Sequence, residues 1–459
     1  MRFLVECTYV YEHPQDNSGI QRVVRNVVNN LKQLDTAVEC VPVILKHDKV
    51  YRVTQLGLPA KQSNRPRLQS WLSLQHDRLG RLRQRITLYQ SSRERRGLCS
   101  NSPLLRGLLG AACSAARLTF AIPQKCLAYI SLSYVDKSRV QELECQPDDV
   151  LVLLDSSWHA DFFPVAERLK SQGVQIVSVI YDLIPLTHPQ FCDEGLVRVF
   201  ENWFDWVMRT ADGFIAISDT IIEQVKREAQ WRLGQEAAAQ RWYDHFHLGS
   251  DLDQVNSRAV VRQEVKQMLK DRPVYLMVST IEPRKNHGYL LDAFDQLWAD
   301  GLDVGLCFVG KIGWKTELLI ERVRQHPRLN TQLFMWNDLT DRELEYCYTN
   351  ARSLVFPSYV EGFGLPLVEA MQRGLPAMAS DIPVFREIGG DTMAYFGLSD
   401  PSTLARLVNQ FESSGVFPAN EDLSKWKWLS WKDSALQLIT RVDRNIRPPL
   451  TGVRNARRA

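Results

Sequence analysis

Along this chain, short apolar runs ending in small or charged residues alternate with longer segments whose apolar positions recur every three or four residues. Phe3-Leu4-Val5 runs out at Glu6 and Cys7, and a polar loop from Tyr9 to Ser18 follows. Ile20, Val23, Val24, Val27, Val28 and Leu31 then fall on one face, predicting a strand and a helix, GIQRVVRNVVNNL, that packs on a sheet. The rhythm stops between about Arg52 and Tyr134. It resumes in DDVLVLLDSS, GVQIVSVIYDLIP and DGFIAISDT, three predicted strands ending in polar residues and separated by VAERLK and LVRVFENWFDWVMRT. That alternation is a parallel βαβ pattern, with Asp155, Ser156, Trp158, His159, Asp182 and Ser218 expected along a cleft. A second series follows: PVYLMV, GLCFVG, LFMW and SLVF read as strands, each leading into a loop and a helix. Thr340 with Glu343 predicts a capping box, and SWKDSALQLITRV a final helix.

Composition bounds the picture. A chain of 459 residues is too long for one ordinary core and favours two or three domains. Hydrophobic content of 45% with 24% charged residues describes a soluble globular protein. Nine scattered cysteines without paired metal-ligand spacings fit a reducing cytosol better than a disulfide framework. MRFLVECTYVYEH reads as a first strand rather than a signal peptide, and no apolar stretch is long enough to predict a membrane-spanning helix.

The net charge of +3 conceals an asymmetry: 16 Lys and Arg face 3 Asp and Glu between Arg52 and Arg139, leaving −10 for the rest. RLGRLRQRITLYQ and SPLLRGLLGAACSAARLTFAI mix arginines with leucine-rich turns. Two readings stand, a basic surface lying on anionic lipid or an insertion packed against its domain. Nucleic acid is not expected, since interleaved aromatics and a recognisable module are both lacking.

The chemistry concentrates in FPSYVEGFGLPLVE, residues 356–369. The apolar strand before it ends at Pro357 and Ser358; the segment after it, with Pro366 in its first turn and Leu367, Val368, Ala370 and Met371 on one face, predicts a helix. Glu361 and Gly362-Phe363-Gly364 therefore sit at the carboxyl end of a strand, facing helix N–H groups, where open α/β sheets hold ligands and where a diphosphate is well placed. Glycines in such a loop suggest a backbone that must come close to something. Arg284 and Lys285 occupy the corresponding loop after PVYLMV. Arg22 and Arg25, off the apolar stripe of the first helix, are either solvated or meet an acidic acceptor.

Both glutamates, the EGFGLP loop, its trailing helix and GLPAMASDIPVFREIGGD together resemble the retaining glycosyltransferases of family four, glycosyl transferases group 1. The resemblance implies an α/β GT-B protein, two Rossmann-like domains facing across a cleft. Residues 1–255 would form an acceptor domain with a basic insertion at about 52–139, residues 256–425 a nucleotide-sugar domain, and 426–459 a helix returning to the first domain and a disordered tail. HFHLGSDLDQ resembles the crossing between domains. Asp251-Leu252-Asp253 spells the metal signature of the other glycosyltransferase fold but lies in this linker, so the resemblance implies no metal and no cofactor.

In the family, Glu361 with Gly362, Phe363, Gly364 and Leu365 would meet the sugar and phosphates of the donor. Glu369 would accept from the ribose, main-chain groups from Trp336 to Leu339 would meet the base, and Gly310 and Lys311 would lie near the cleft. Ser279 stands where relatives often carry an arginine, and Arg284 with Lys285 would draw off the leaving diphosphate. Ser18-Gly19 matches a glycine loop near the donor phosphates. YDLIPLTHP and FIAISDT resemble the branch that builds surface polysaccharide, such as O-antigen, with mannose or deoxyhexose donors. Asp182 is kept there, but Tyr181 replaces a histidine that touches the transferred sugar, and His188 follows six residues on.

The implied reaction is transfer of a hexose, GDP-mannose-type or else dTDP-rhamnose, to a saccharide or polyprenyl-linked saccharide. The donor phosphate would take the acceptor's proton. The expected place is the cytoplasm, with peripheral contact at the inner membrane face. From another class stands a catalytically inactive GT-B carbohydrate-binding or scaffold protein; a phosphorylase is disfavoured because no pyridoxal-binding lysine motif is present.

Overall fold

A computed structural model describes residues 1–14, 16, 19–56, 138–159, 162–250 and 260–447. Ser18, most of the basic segment, Asp251-Leu252-Asp253, the tail from 448 and the side chain of His159 lie outside the described residues. Residues 1–52 and 143–459 form one compact unit and residues 53–142 another.

The first lobe of the larger unit is built on β1 (Arg2–Glu6), β2 (Glu39–Lys46), β3 (Lys49–Val53), β5 (Val150–Leu153), β6 (Gln175–Ile180), β7 (Gly213–Ala216) and β8 (Trp242–His245), while β4 (Val140–Glu142) belongs to the smaller unit. The strand order is β3-β2-β1-β5-β6-β7-β8, parallel throughout except for the β2–β3 hairpin. The second lobe holds β9 (Val274–Val278), β10 (Gly305–Val309), β11 (Leu333–Trp336), β12 (Ser353–Phe356), β13 (Ala377–Ser380) and β14 (Ala394–Phe396). All are parallel, in the order β11-β10-β9-β12-β13-β14. Each sheet reverses its winding once, between β1 and β5 and between β9 and β12. At such a reversal neighbouring loops diverge and open a crevice at the strands' carboxyl ends.

The predicted elements form for the reasons their pattern gives. Val23, Val24, Val27, Val28 and Leu31 are buried in the helix Gly19–Leu31. Ile20 is half-buried instead and faces the cleft. Thr340 and Glu343 make the reciprocal capping box that starts Asp341–Asn350. The helix Trp431–Ile446 opens on another, Ser430 with Asp433, and Arg441 and Arg444 reach Asp244 of β8 at 2.5 and 2.8 Å. The last helix thus rests on the first lobe.

One expectation is corrected. Asp155 and Ser156 do not line the cleft; they are buried, and Asp155 accepts from the Val10 amide (2.8 Å) while its own amide donates to Glu6 (3.2 Å). This pair of carboxyl groups ties the ends of β1 and β5 together. Burial and the nearby Asp155 carboxyl push the Glu6 carboxyl well above the ordinary carboxylate range.

Candidate active site

The loops after β9 and β12 meet at the reversal of the second sheet. β9 is buried for all but its last residue, and the chain then turns through a short 3₁₀ segment, Pro283–Lys285, ending at Asn286 in the left-handed region (φ 61°). The Tyr359 amide donates to the Arg284 carbonyl at 2.9 Å, so the two loops are fastened through backbone as well as charge. Arg284 places one nitrogen 2.7 Å from Glu361 Oε2 and another 2.7 Å from Glu282 Oε1. Lys285, over the Phe356 ring at 5.0 Å, pairs with the other oxygen of Glu361.

Burial opposes ionisation of Glu361, but Arg284 and Lys285 outweigh it and hold its carboxyl at about 2. Burial and the Arg284 guanidinium bring the Lys285 ammonium below its ordinary value. Both cations expected to meet a diphosphate thus already answer the glutamate expected to meet the sugar.

The opposite lobe presses against this loop. Ser218 caps its own helix and also donates to the Gly362 carbonyl at 3.0 Å. The close approach that the glycine turn suggested is made to this lobe, because a Cβ at Gly362 would collide with the Tyr181 carbonyl oxygen and lie 3.0 Å from Asp182 Cβ. Gly364 is needed for another reason, a φ of 116°. Phe363 is buried near Trp428 and His247, with ring centroids 5.8 and 6.3 Å away. Tyr181 is no surrogate for a sugar-binding histidine, since its side chain turns inward and donates to the Leu154 carbonyl at 2.7 Å. His188 stacks with Phe191 and lies 2.9 Å from the Thr187 hydroxyl. Asp182 does reach the cleft, and burial pushes its carboxyl up against the pull of Arg284.

Two adjoining cavities collect the candidates. One takes in Gly19, Trp158 and Asp182 from the first lobe and Arg284, Lys285, Glu361, Gly362, Phe363, Gly364 and Leu365 from the second. The other lies over Ser279, Gly310, Lys311 and the Trp336–Leu339 turn, with Glu369 in its wall. Ser279, Thr280 and Arg22 line both.

Sequence reasoning missed the roles of four residues here. Arg22 is neither solvated nor waiting for an acceptor; it crosses to Glu369 at 2.6 Å, and Tyr348 donates to that glutamate's other oxygen at 2.8 Å. Glu282 was legible only as an acid two residues before Arg284. His287 is buried, with Nε2 3.4 Å from Ser279 Oγ; burial and Lys285 lower it to about 3, so it is neutral. A fourth, Glu387 of the helix Pro383–Gly389, bridges the lobes by accepting from the Asp219 and Thr220 amides at 2.7 and 2.9 Å.

Two Rossmann-like lobes with a glutamate–arginine–lysine cluster where the crevices meet define a GT-B protein. Residues 262–426 match the family model of glycosyl transferases group 1. The sucrose-phosphate synthase from Thermosynechococcus elongatus shares the fold, with a TM-score of 0.54 at 16% identity over 97% of this chain and 98% of that one. Among curated relatives, the serotype-specific mannosyltransferase WbdA of Escherichia coli is 36% identical over 301 residues, 64% of this chain and 37% of the relative. The O-antigen chain mannosyltransferase B of Escherichia coli is 26% identical over 62% of this chain and 73% of the relative. The chain therefore spans little more than a third of the length of the WbdA relatives it matches. Among the described residues, no helix is long and apolar enough to cross a membrane.

Proposed function

We propose that the protein is a retaining glycosyltransferase that moves mannose from GDP-mannose to a saccharide acceptor, free or polyprenyl-linked, in the synthesis of O-antigen-type polysaccharide. The observation that carries this reading is the buried Glu361–Arg284–Lys285 cluster at the junction of the two lobes, on a chain similar to mannosyltransferases.

In this reading the nucleoside lies along the cavity bounded by Trp336, Leu339 and Glu369, and the sugar sits beside Glu361 and Asp182. As the glycosidic bond to the donor phosphate lengthens, negative charge grows on the diphosphate. Cations already positioned stabilise that state more than the ground state, and a low-dielectric site amplifies the difference. Glu361, kept ionised by two cations, orients sugar hydroxyls and does not serve as a covalent nucleophile. The departing phosphate oxygen takes the acceptor's proton. Arg284 and Lys285 perform the charge stabilisation, so no metal or cofactor is needed in this scheme. Work at the inner membrane face, and contact of the basic segment 52–139 with anionic lipid, belong to the same proposal.

The test is incubation with GDP-mannose, dTDP-rhamnose and UDP-sugars together with mannose-terminated oligosaccharides, followed by mass spectrometry of the acceptor. Addition of one mannose, with the anomeric configuration of the donor kept by NMR, supports the reading. Binding of nucleotide sugars without transfer to any acceptor in the panel would instead favour the inactive carbohydrate-binding protein.

A further inference from the structure

Arg22 is the one cation, among the described residues, that lines both cavities of the cleft. It stands in the first turn of Gly19–Leu31, on the lobe opposite the proposed donor site, yet its guanidinium reaches across to Glu369 at 2.6 Å. Glu369 is 2% exposed and on its other oxygen accepts from Tyr348 at 2.8 Å. A lone buried carboxylate is costly, and the ion pair with Arg22 offsets that cost at Glu369.

The charge balance around it is the second observation. Arg284 commits nitrogens to Glu361 and Glu282, and Lys285 commits its ammonium to Glu361. A nucleoside diphosphate brings several negative charges into this space. Ser279 and Thr280, between the two cavities, carry no positive charge to meet them, and Lys311, in the wall of one cavity, is exposed.

We infer that Arg22 is a diphosphate-binding residue supplied in trans by the first lobe, exchanging Glu369 for a phosphate oxygen when a nucleoside diphosphate enters. The exchange is balanced. The donor's ribose hydroxyls, which the proposed function sets against Glu369, replace the guanidinium there, and the planar fork of arginine can take two phosphate oxygens together. Because the guanidinium belongs to one lobe and the diphosphate to the other, donor binding and lobe closure become one event. The inference rests on the nucleotide-sugar reading above and adds to it the residue that joins the lobes across the donor.

The experiment compares GDP with guanosine, which differ only in the diphosphate. Affinities are measured by calorimetry for GDP and by NMR titration for guanosine, on the wild-type chain and on Arg22→Gln and Arg22→Lys. Arg22→Gln should weaken GDP by roughly 10- to 100-fold while changing guanosine less than about threefold, and Arg22→Lys should recover most of the loss. Equal weakening of both ligands would make Arg22 a structural partner of Glu369 and overturn the inference, as would unchanged GDP affinity. Should Arg22→Gln fold poorly with its glutamate stranded, the double variant Arg22→Gln/Glu369→Gln against Glu369→Gln alone removes that burden and must show the same GDP-selective loss. If the wild type binds none of GDP, dTDP or UDP, the proposed function falls and takes this inference with it; binding to the wild type with no Arg22 effect defeats the inference alone.

Discussion

Gly362 and Tyr181, on opposite lobes, are in backbone contact: no atom larger than a hydrogen fits on the Gly362 Cα beside the Tyr181 carbonyl oxygen. Ser218, next along the same wall, donates to the Gly362 carbonyl. The loop carrying Glu361 is thereby gauged against the first lobe. Gly362→Ala should force the two loops apart by a fraction of an ångström and misplace Glu361. Because the strain falls at a lobe boundary and not in a core, the expected result is a loss of at least tenfold in kcat/KM with a small change in melting temperature. Steady-state kinetics beside a thermal melt checks this, and full activity would show that the lobes need not meet at this point.

Lys285 tests the charge cluster. Its ammonium and Arg284 together hold Glu361 ionised in a buried place, so Lys285→Ala removes one of the two cations that support it and, in the proposed reaction, one cation beside the diphosphate. Turnover should fall at least tenfold. Unfolding free energy should fall by about 3 kcal/mol, as for other buried pairs that lose one partner. Denaturant titration and single-turnover kinetics separate the two. A variant that loses stability but turns over normally would leave Lys285 a structural residue only.

The strands, the helices and the loops that carry Glu361, Arg284 and Lys285 were legible because they are local: apolar period, caps and polar strand ends are written within a dozen residues. Partnerships across the chain were not. Nothing near Arg22 announces Glu369, and Asp155 reads like any polar strand end until Glu6 is set beside it. The glycine turn was legible as a demand for close approach, though the surface it approaches belongs to the Tyr181 loop. Tyr181 itself showed only that a histidine was missing; that its hydroxyl points into the core depends on Leu154, just past the end of β5.

Tyr348 offers a gentler perturbation of Glu369. Its hydroxyl is buried and donates to the carboxylate, so Tyr348→Phe keeps the ring packing and leaves one buried oxygen without that donor. Loss of such a bond costs about 1–3 kcal/mol. The variant should melt lower and bind the donor nucleoside more weakly. Affinity equal to wild type, measured by calorimetry, would show that Glu369 does not need Tyr348 to be held in place.

Glu387 makes the junction of the lobes sensitive to acid. It belongs to the second lobe, yet its carboxylate accepts from the Asp219 and Thr220 amides and the Thr220 hydroxyl of the first, and lies 2.8 Å from His247 Nε2. Burial works against its ionisation, but these donors prevail and bring the carboxyl down to about 2. A folded-state pKa below the ordinary carboxylate value means that the stabilisation is fully present above about pH 4.5 and drains away as pH falls toward 2. Its size is about 2–3 kcal/mol. Many other carboxylates titrate in that window, so the informative quantity is the difference between wild type and Glu387→Gln, from denaturant unfolding at each pH. That difference should be constant from pH 7 to 5 and shrink steadily below 4.5, because the variant has no charge to lose. A gap that stays the same down to pH 2.5 would mean that the lobes are held by the shape of this contact and not by its charge.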